Sequence, residues 1–278
     1  MSASHFVRRS FWALCSSVVV AGALVLAQPA KQQFQPQVGQ AGKDVVWVPT
    51  PQVLVDKMLD MAKVTPQDYV MDLGSGDGRT VICAAKRGAR ALGIEYNPNM
   101  VELSKQNAAR EGVGDRATFV KADLFESDFS QATVITMFLL PEINLKLRPR
   151  LLDLKPGTRI VSNSFTMEEW AADETETVSD GCESWCTALL WIVPARVEGT
   201  WRLPQGDLTL KQDFQMVSGT LTSGHGSTPI TNGRLRGDRI SFSAAGVEYA
   251  GRVNGDTIEG TVTSNGSNGN WSATRVGQ

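Results

Sequence analysis

The chain has 278 residues, 42% hydrophobic and 20% charged, and 27 basic against 29 acidic side chains leave a formal charge of -2. That length accommodates one large or two small domains, while ordinary apolar content and low charge exclude a disordered chain and the electrostatic footprint of a general nucleic-acid binder. Two histidines, His5 and His225, are too few for most metal sites and most histidine-based catalysis.

Arg8 and Arg9 precede an uncharged stretch, residues 10–27, which ends on Val25-Leu26-Ala27 and gives way to a polar Gln/Pro segment. A positive end, a short apolar core and a small-residue exit describe a secretory signal peptide over residues 1–27. An uncleaved membrane anchor is the alternative, and either reading exports the remainder to the periplasm or holds it near a membrane. Residues 28–43 are rich in Gln, Pro and Gly and read as a flexible linker.

From residue 53 onward, strands and helices alternate. Helical periodicity covers residues 53–62, 80–86, 99–111 and 141–154, and short apolar or β-branched runs occupy 69–73, 91–95, 117–121, 133–138 and 159–162. Strands separated by helices predict an α/β domain with a parallel, doubly wound, Rossmann-like sheet over residues 44–194. Ligands bind such sheets at the edge where the strands end.

Those strand ends carry the chemistry. The first gives Asp72-Leu73-Gly74-Ser75-Gly76-Asp77-Gly78, in which alternate glycines let the backbone turn tightly and approach a ligand. The dinucleotide fingerprint needs its last glycine one place later, where Arg79 stands, so the loop is not of the NAD type. Glu95 ends the second strand and suits a pair of ribose hydroxyls; Asp123 ends the third and suits an exocyclic amine. Three acids at three successive strand ends match a ligand with an ammonium group, a ribose and an amino-base.

Residues 69–163 resemble a class I, seven-strand methyltransferase dependent on S-adenosyl-L-methionine. VMDLGSGDG is similar to the family's first motif, ALGIE to its second and VKADLF to its third. The resemblance implies that Asp72, Gly74, Ser75, Gly76 and Gly78 hold the methionine part, Glu95 the ribose, and Asp123 with Leu124 the adenine, with Tyr96 against the base. The segment Val46-Trp47-Val48-Pro49-Thr50-Pro51 is similar to a V-P-x-P signature of a narrower group. That group comprises the lysine methyltransferases of the ATP synthase c-subunit and the adenine nucleotide translocase, and the likeness adds Thr50 to the candidate catalytic residues.

The fourth strand runs into Phe138-Leu139-Leu140-Pro141-Glu142. At this place members of the resembled family that methylate nucleobases or glutamine often carry Asn/Asp-Pro-Pro-aromatic; the departure from that motif implies that an aliphatic amine fits better. Pro141 and Glu142 are therefore the other candidate catalytic residues, with Glu142 steering a cation inward; its alternative role is a first-turn acid facing a helix dipole. A sulfonium methyl is already activated, so scarcity of histidine is no obstacle. The expected function is methyl transfer to an amine, a protein lysine or a small molecule, with no nucleic-acid partner. An exported, non-catalytic module that only binds the cofactor is the rival reading. Cys83 reads as a buried packing residue, and Cys182 with Cys186 could pair in an oxidising compartment. Neither has the company a zinc site needs, and no metal is expected.

From residue 195 the period becomes two, and 14 of the 26 glycines fall in residues 195–278, at turns. The segment GRLRGDRISF at 233 recurs as GRVNGDTIEG at 251, two hairpins built on Gly-Asp turns. Six to eight short strands predict a small all-β barrel or sandwich, closed by Trp201 and Trp271 and expected to guide the substrate. His225 is placed in a turn.

Overall fold

A computed structural model describes residues 1–3, 34–224 and 226–277. The predicted signal segment beyond its first three residues, positions 28–33 of the linker, and His225 lie outside the described residues. Among the described residues no helix is long and apolar enough to cross a membrane.

The first layer is a seven-stranded sheet. Its strands are β1 (Tyr69–Leu73), β2 (Arg90–Glu95), β3 (Ala117–Lys121), β4 (Val134–Met137), β5 (Arg159–Asn163), β6 (Glu174–Thr177) and β7 (Thr187–Ile192), in the spatial order β3-β2-β1-β4-β5-β7-β6. Strands β1 to β5 are parallel, as expected. Strand β7, which the helix–strand alternation does not mark, enters antiparallel to β5, with Asn163 opposite Ala188 and Arg159 opposite Ile192. The sheet is therefore mixed, and β7 begins at the edge where β5 ends.

Successive residues on a strand face opposite sides, and that alternation builds two cores. Val70, Val134, Val161 and Leu190 pack beneath helices α1 (Gln52–Met61) and α2 (Arg79–Lys86), joined by Val101 and Ala108 of α3 (Pro98–Arg110). Met71, Ile135, Ile160 and Trp191 face the other way, against Ile143, Leu147 and Leu151 of α4 (Pro141–Leu152). Asn97 caps α3, its Oδ1 accepting the Asn99 amide at 2.9 Å, with Pro98 in the first turn.

The second sheet contains β8 (Gly199–Leu203), β9 (Gly206–Asp213), β10 (Met216–Ser223), β11 (Gly226–Pro229), β12 (Thr231–Arg236), β13 (Arg239–Ala244), β14 (Val247–Asn254), β15 (Thr257–Ser264) and β16 (Ser267–Arg275). Pairing of β9 with β10 along their whole length closes eight antiparallel strands into a barrel, while β11 adds a short ninth strand along β10. Closure removes the exposed edges that a sandwich would have to protect. Trp201 and Trp271 are buried in the barrel core, and Trp271 meets Phe242 and Tyr249 edge-on. The repeated segments form hairpins β12–β13 and β14–β15, turning at Gly237 (φ 65°) and Gly255 (φ 58°).

The barrel docks where β5 begins and β7 ends. The Ala195 amide donates to the Gly237 carbonyl, Gln215 Nε2 donates to the Ala171 carbonyl, Arg234 pairs with buried Asp173 at 2.7 Å, and Phe214 stacks on Trp170. This is the edge opposite the strand ends that carry the acids, which removes the barrel from the substrate-guiding position expected for it.

Candidate functional site

Asp72 at the end of β1 is 6% exposed and lies directly across from Thr136 of β4, whose hydroxyl donates to Asp72 Oδ1 at 2.7 Å. Burial, opposed by that bond and reinforced by Glu95 and Asp77, pushes its pKa up to about 7. A carboxyl in this condition is a seat for a cation, which would return it to the ionised form.

The loop after β1 turns through left-handed glycines. At Gly76 (φ 54°) an added Cβ would stand 2.6 Å from Trp47 Nε1, and at Gly78 (φ 83°) it would stand 2.8 Å from the Phe119 ring, so both positions require glycine. Helix α3 braces the loop: Ser104 Oγ donates to the Gly76 carbonyl and Asn107 Nδ2 to that of Asp77. Ser75 is buried in the same loop and, among the described residues, its Oγ has no hydrogen-bond partner, leaving one polar atom for a ligand.

Glu95 accepts from the Gly76 amide at 3.0 Å on one oxygen and from the Asn97 amide at 2.8 Å on the other. Each carboxylate oxygen keeps a second lone pair, so the group stays able to accept two hydroxyls in fixed positions. Asp123 accepts from the Phe125 amide and pairs with Lys43 Nζ at 2.5 Å; the Lys43 ammonium holds its carboxyl below the usual range. Lys43 also lies 5.2 Å from the centroid of half-exposed Tyr96.

Lys43 belongs to a stretch expected to be a flexible linker. Residues 39–47 instead fold back on themselves: the Gly39 amide donates to the Trp47 carbonyl, the Trp47 amide to the Gln40 carbonyl, and Ala41 pairs with Val46. This strap covers the glycine loop with Trp47 and the third acid with Lys43. Sequence reasoning found Trp47 only as part of a signature and missed Lys43, because polar Gln/Gly composition hides a tight backbone fold.

One cavity of about 240 Å³ gathers Thr50, Asp72, Gly74, Ser75, Gly76, Glu95, Tyr96, Asp123 and Leu124. Gly78 lies just outside its wall, as the N-cap residue before α2. Thr50 is fixed from both ends: its carbonyl accepts from Arg79, itself bound to Asp77, and its hydroxyl accepts from buried Asn163 at 3.3 Å. Pro141 and Glu142 are not in the cavity wall, which at this point is formed by Leu139, Leu140 and Ile143. Helical phase is the cause. The α4 stripe buries Ile143, Leu147 and Leu151, so Glu142, about 100° away, projects into solvent as a first-turn acid, and Pro141 starts the helix.

On the other side of β1 the wall changes character. Phe138 after β4, Phe165 after β5 and Trp185 before β7 pack together with ring centroids 5.1–6.0 Å apart. Trp185 sits inside a five-residue loop closed by a Cys182–Cys186 disulfide. Cys83 is partly buried on α2, its thiol pushed up by burial and bonded by Gln52. Among the described residues no cluster of His, Cys, Asp or Glu could hold a metal ion.

The ANTKMT methyltransferase domain model matches residues 72–174, the span from Asp72 to β6. A protein-lysine N-methyltransferase of Saccharolobus islandicus is 46% identical over 140 residues, 49% of this chain and 87% of that protein. The lysine N-methyltransferase of the ATP synthase c-subunit from Rattus norvegicus is 33% identical over 175 residues, 62% of this chain and 79% of that protein. The chain belongs to the ANTKMT methyltransferase family. It is an S-adenosylmethionine-dependent methyltransferase. The solved structure of an RNA methyltransferase from Salinibacter ruber, in complex with S-adenosyl-L-homocysteine, has 46% identity and a TM-score of 0.51, covering 54% of this chain and 96% of that one. These matches reach at most 62% of this methyltransferase.

The cavity fits that cofactor on its own geometry: a buried acid awaiting a cation, an orphaned Ser75 hydroxyl, a glycine cradle, and a preset carboxylate at Glu95.

Proposed function

We propose that this methyltransferase modifies the side-chain amine of a protein lysine. The observation that carries the reading is the division of one cavity into an acid-lined half over β1, β2 and β3 and an aromatic, carboxamide-free half over β4, β5 and β7. When bound, S-adenosylmethionine supplies a methyl group already activated on a sulfonium. Asp72 would receive the positive charge of its methionine end, Glu95 its ribose hydroxyls and Asp123 its adenine amine, with Gly74, Ser75 and Gly76 as the floor, Gly78 turning that loop into α2, and Tyr96 and Leu124 beside the base. Thr50, pinned by Arg79 and Asn163, stands at the junction of the two halves. The amine arrives over β4 and gives its proton to water; the aromatic wall excludes further solvent from the line of attack.

The names of the relatives from Saccharolobus and Rattus support a lysine acceptor. The near-neutral charge of this chain is the argument against RNA, although the Salinibacter protein is named an RNA methyltransferase. The Cys182–Cys186 bond supports export to an oxidising compartment.

The test is full-length protein incubated with methyl-labelled S-adenosylmethionine and a membrane-plus-periplasm extract. Label is expected in protein, and to disappear when extract lysines are first blocked by reductive alkylation. Label that survives blocking, or enters nuclease-sensitive or lipid material, overturns the lysine assignment.

A further inference from the structure

Resting on the lysine reading above, we infer that Phe138, Phe165 and Trp185 form a sleeve that grips the acceptor as an alkyl-ammonium chain, and that the Cys182–Cys186 disulfide sets its grip by fixing Trp185. Three observations converge. The rings come from three elements, yet lie within 6.0 Å of one another and line the same cavity as Asp72 and Glu95. A cation over aromatic faces within about 6 Å is attracted by their quadrupoles, and a hydrocarbon stem packs on the same faces.

The two ring-bearing turns on the β5–β7 side are also conformationally unusual. Ser164, just before Phe165, has φ 58°, and Trp185 itself has φ 58°. A bulky residue in the left-handed region persists only where its surroundings hold it there. Ser164 is held by its amide to the Thr187 carbonyl and its hydroxyl to Asn163; Phe165 is held by Ser162, whose hydroxyl donates to its carbonyl. Trp185 has the disulfide ring instead, and remains 44% exposed although it is the largest hydrophobic side chain of that loop. A tryptophan stapled in an exposed, unfavourable conformation beside a cavity is placed for something that enters it.

The charge of the loop selects a cation. Residues 177–195 contain Asp180 and Glu183 and no lysine or arginine, so the loop that carries Trp185 is acidic and attracts an approaching ammonium, whereas Lys43 and Arg79 belong to the acid-lined half of the cavity.

The test uses full-length protein saturated with S-adenosylhomocysteine, titrated with N-acetyl-lysine methylamide and with its uncharged counterpart N-acetyl-norleucine methylamide. The wild type is expected to bind the lysine compound at least about fivefold more tightly. Trp185→Ala should weaken lysine-amide binding by about tenfold and abolish the preference, Trp185→Phe should restore part of it, and Cys182→Ser/Cys186→Ser should fall between wild type and Trp185→Ala. S-adenosylhomocysteine affinity should stay unchanged in all three variants, which reports an intact fold. Equal binding of the two compounds by wild type, or a preference that survives Trp185→Ala, overturns the sleeve; a double-serine variant indistinguishable from wild type overturns the role of the disulfide. Cation preference without lysine labelling in the extract would defeat the lysine acceptor alone, whereas lysine labelling without cation preference would defeat the sleeve alone.

Discussion

The two halves of the cavity are built on opposite principles. Over β1, β2 and β3 each ligand-facing acid sits at a strand end, and two are fixed by backbone amides within two residues of themselves or in the neighbouring loop: Glu95 by Gly76 and Asn97, Asp123 by Phe125. Over β4, β5 and β7 the wall is assembled from rings separated by 20 or more residues in sequence, and one is held covalently by its own loop. The first half presents fixed hydrogen-bond partners for a single ligand. The second presents polarizable faces with few directional demands and tolerates variation in what it receives.

If that contrast holds, damage to the first half should be large and specific to the cofactor. Glu95→Ala removes the acceptor of two backbone amides and, on the proposed reading, the partner of the ribose. One charge-assisted hydrogen bond contributes about 1.5–3 kcal/mol, so S-adenosylhomocysteine affinity should fall roughly 10- to 150-fold by calorimetry. A change below about threefold would show that the carboxylate serves the loop and not the ligand.

A smaller effect should follow pH. The pKa of Asp72 is raised to about 7, and a bound cation favours its ionised form, so binding below that pH releases a proton. Affinity for S-adenosylhomocysteine should therefore rise with pH by up to about tenfold per unit below pH 7, then level off above it. Asp72→Asn should flatten the profile. A raised acid pKa also means that the folded, ligand-free protein binds protons more tightly than the unfolded chain; its stability should decline from about pH 4 to pH 7 and change no further through this group.

Lys43→Ala is milder still. It breaks a partly exposed ion pair and frees Asp123 to accept from the ligand, so cofactor affinity should improve by no more than about threefold, and the gain should shrink in high salt. A large loss instead would make Lys43 a ligand contact. Smallest of all is Glu142→Gln, which should leave kcat/KM within about twofold, because the side chain projects away from the cavity. A fall of about tenfold would return Glu142 to the reaction.

The same contrast explains what the sequence disclosed. The gathering of Asp72, Gly74, Gly76, Glu95 and Asp123 around one cavity is legible because each lies within a few residues of a strand end, and strand ends share one edge. The barrel is legible through its period of two and its twin Gly-Asp turns. The aromatic wall is not, since Phe138, Phe165 and Trp185 acquire meaning only through the β4-β5-β7 order, and β7 arrives without the preceding helix that marks the other strands. The strap is hidden because its bonds are backbone to backbone and leave no composition signal. Glu142 is misplaced when its chemistry is judged before its helical phase.

Strand β7 has one further consequence. By running against β5 it sends the chain out at the base of the sheet, so the eight-stranded barrel hangs below while the disulfide loop crowns the top. Among the described residues the barrel therefore leaves the rim of the cavity uncovered, like a handle set behind the open jaw of a clamp. Trp185 and the barrel thus lie at opposite edges of the sheet.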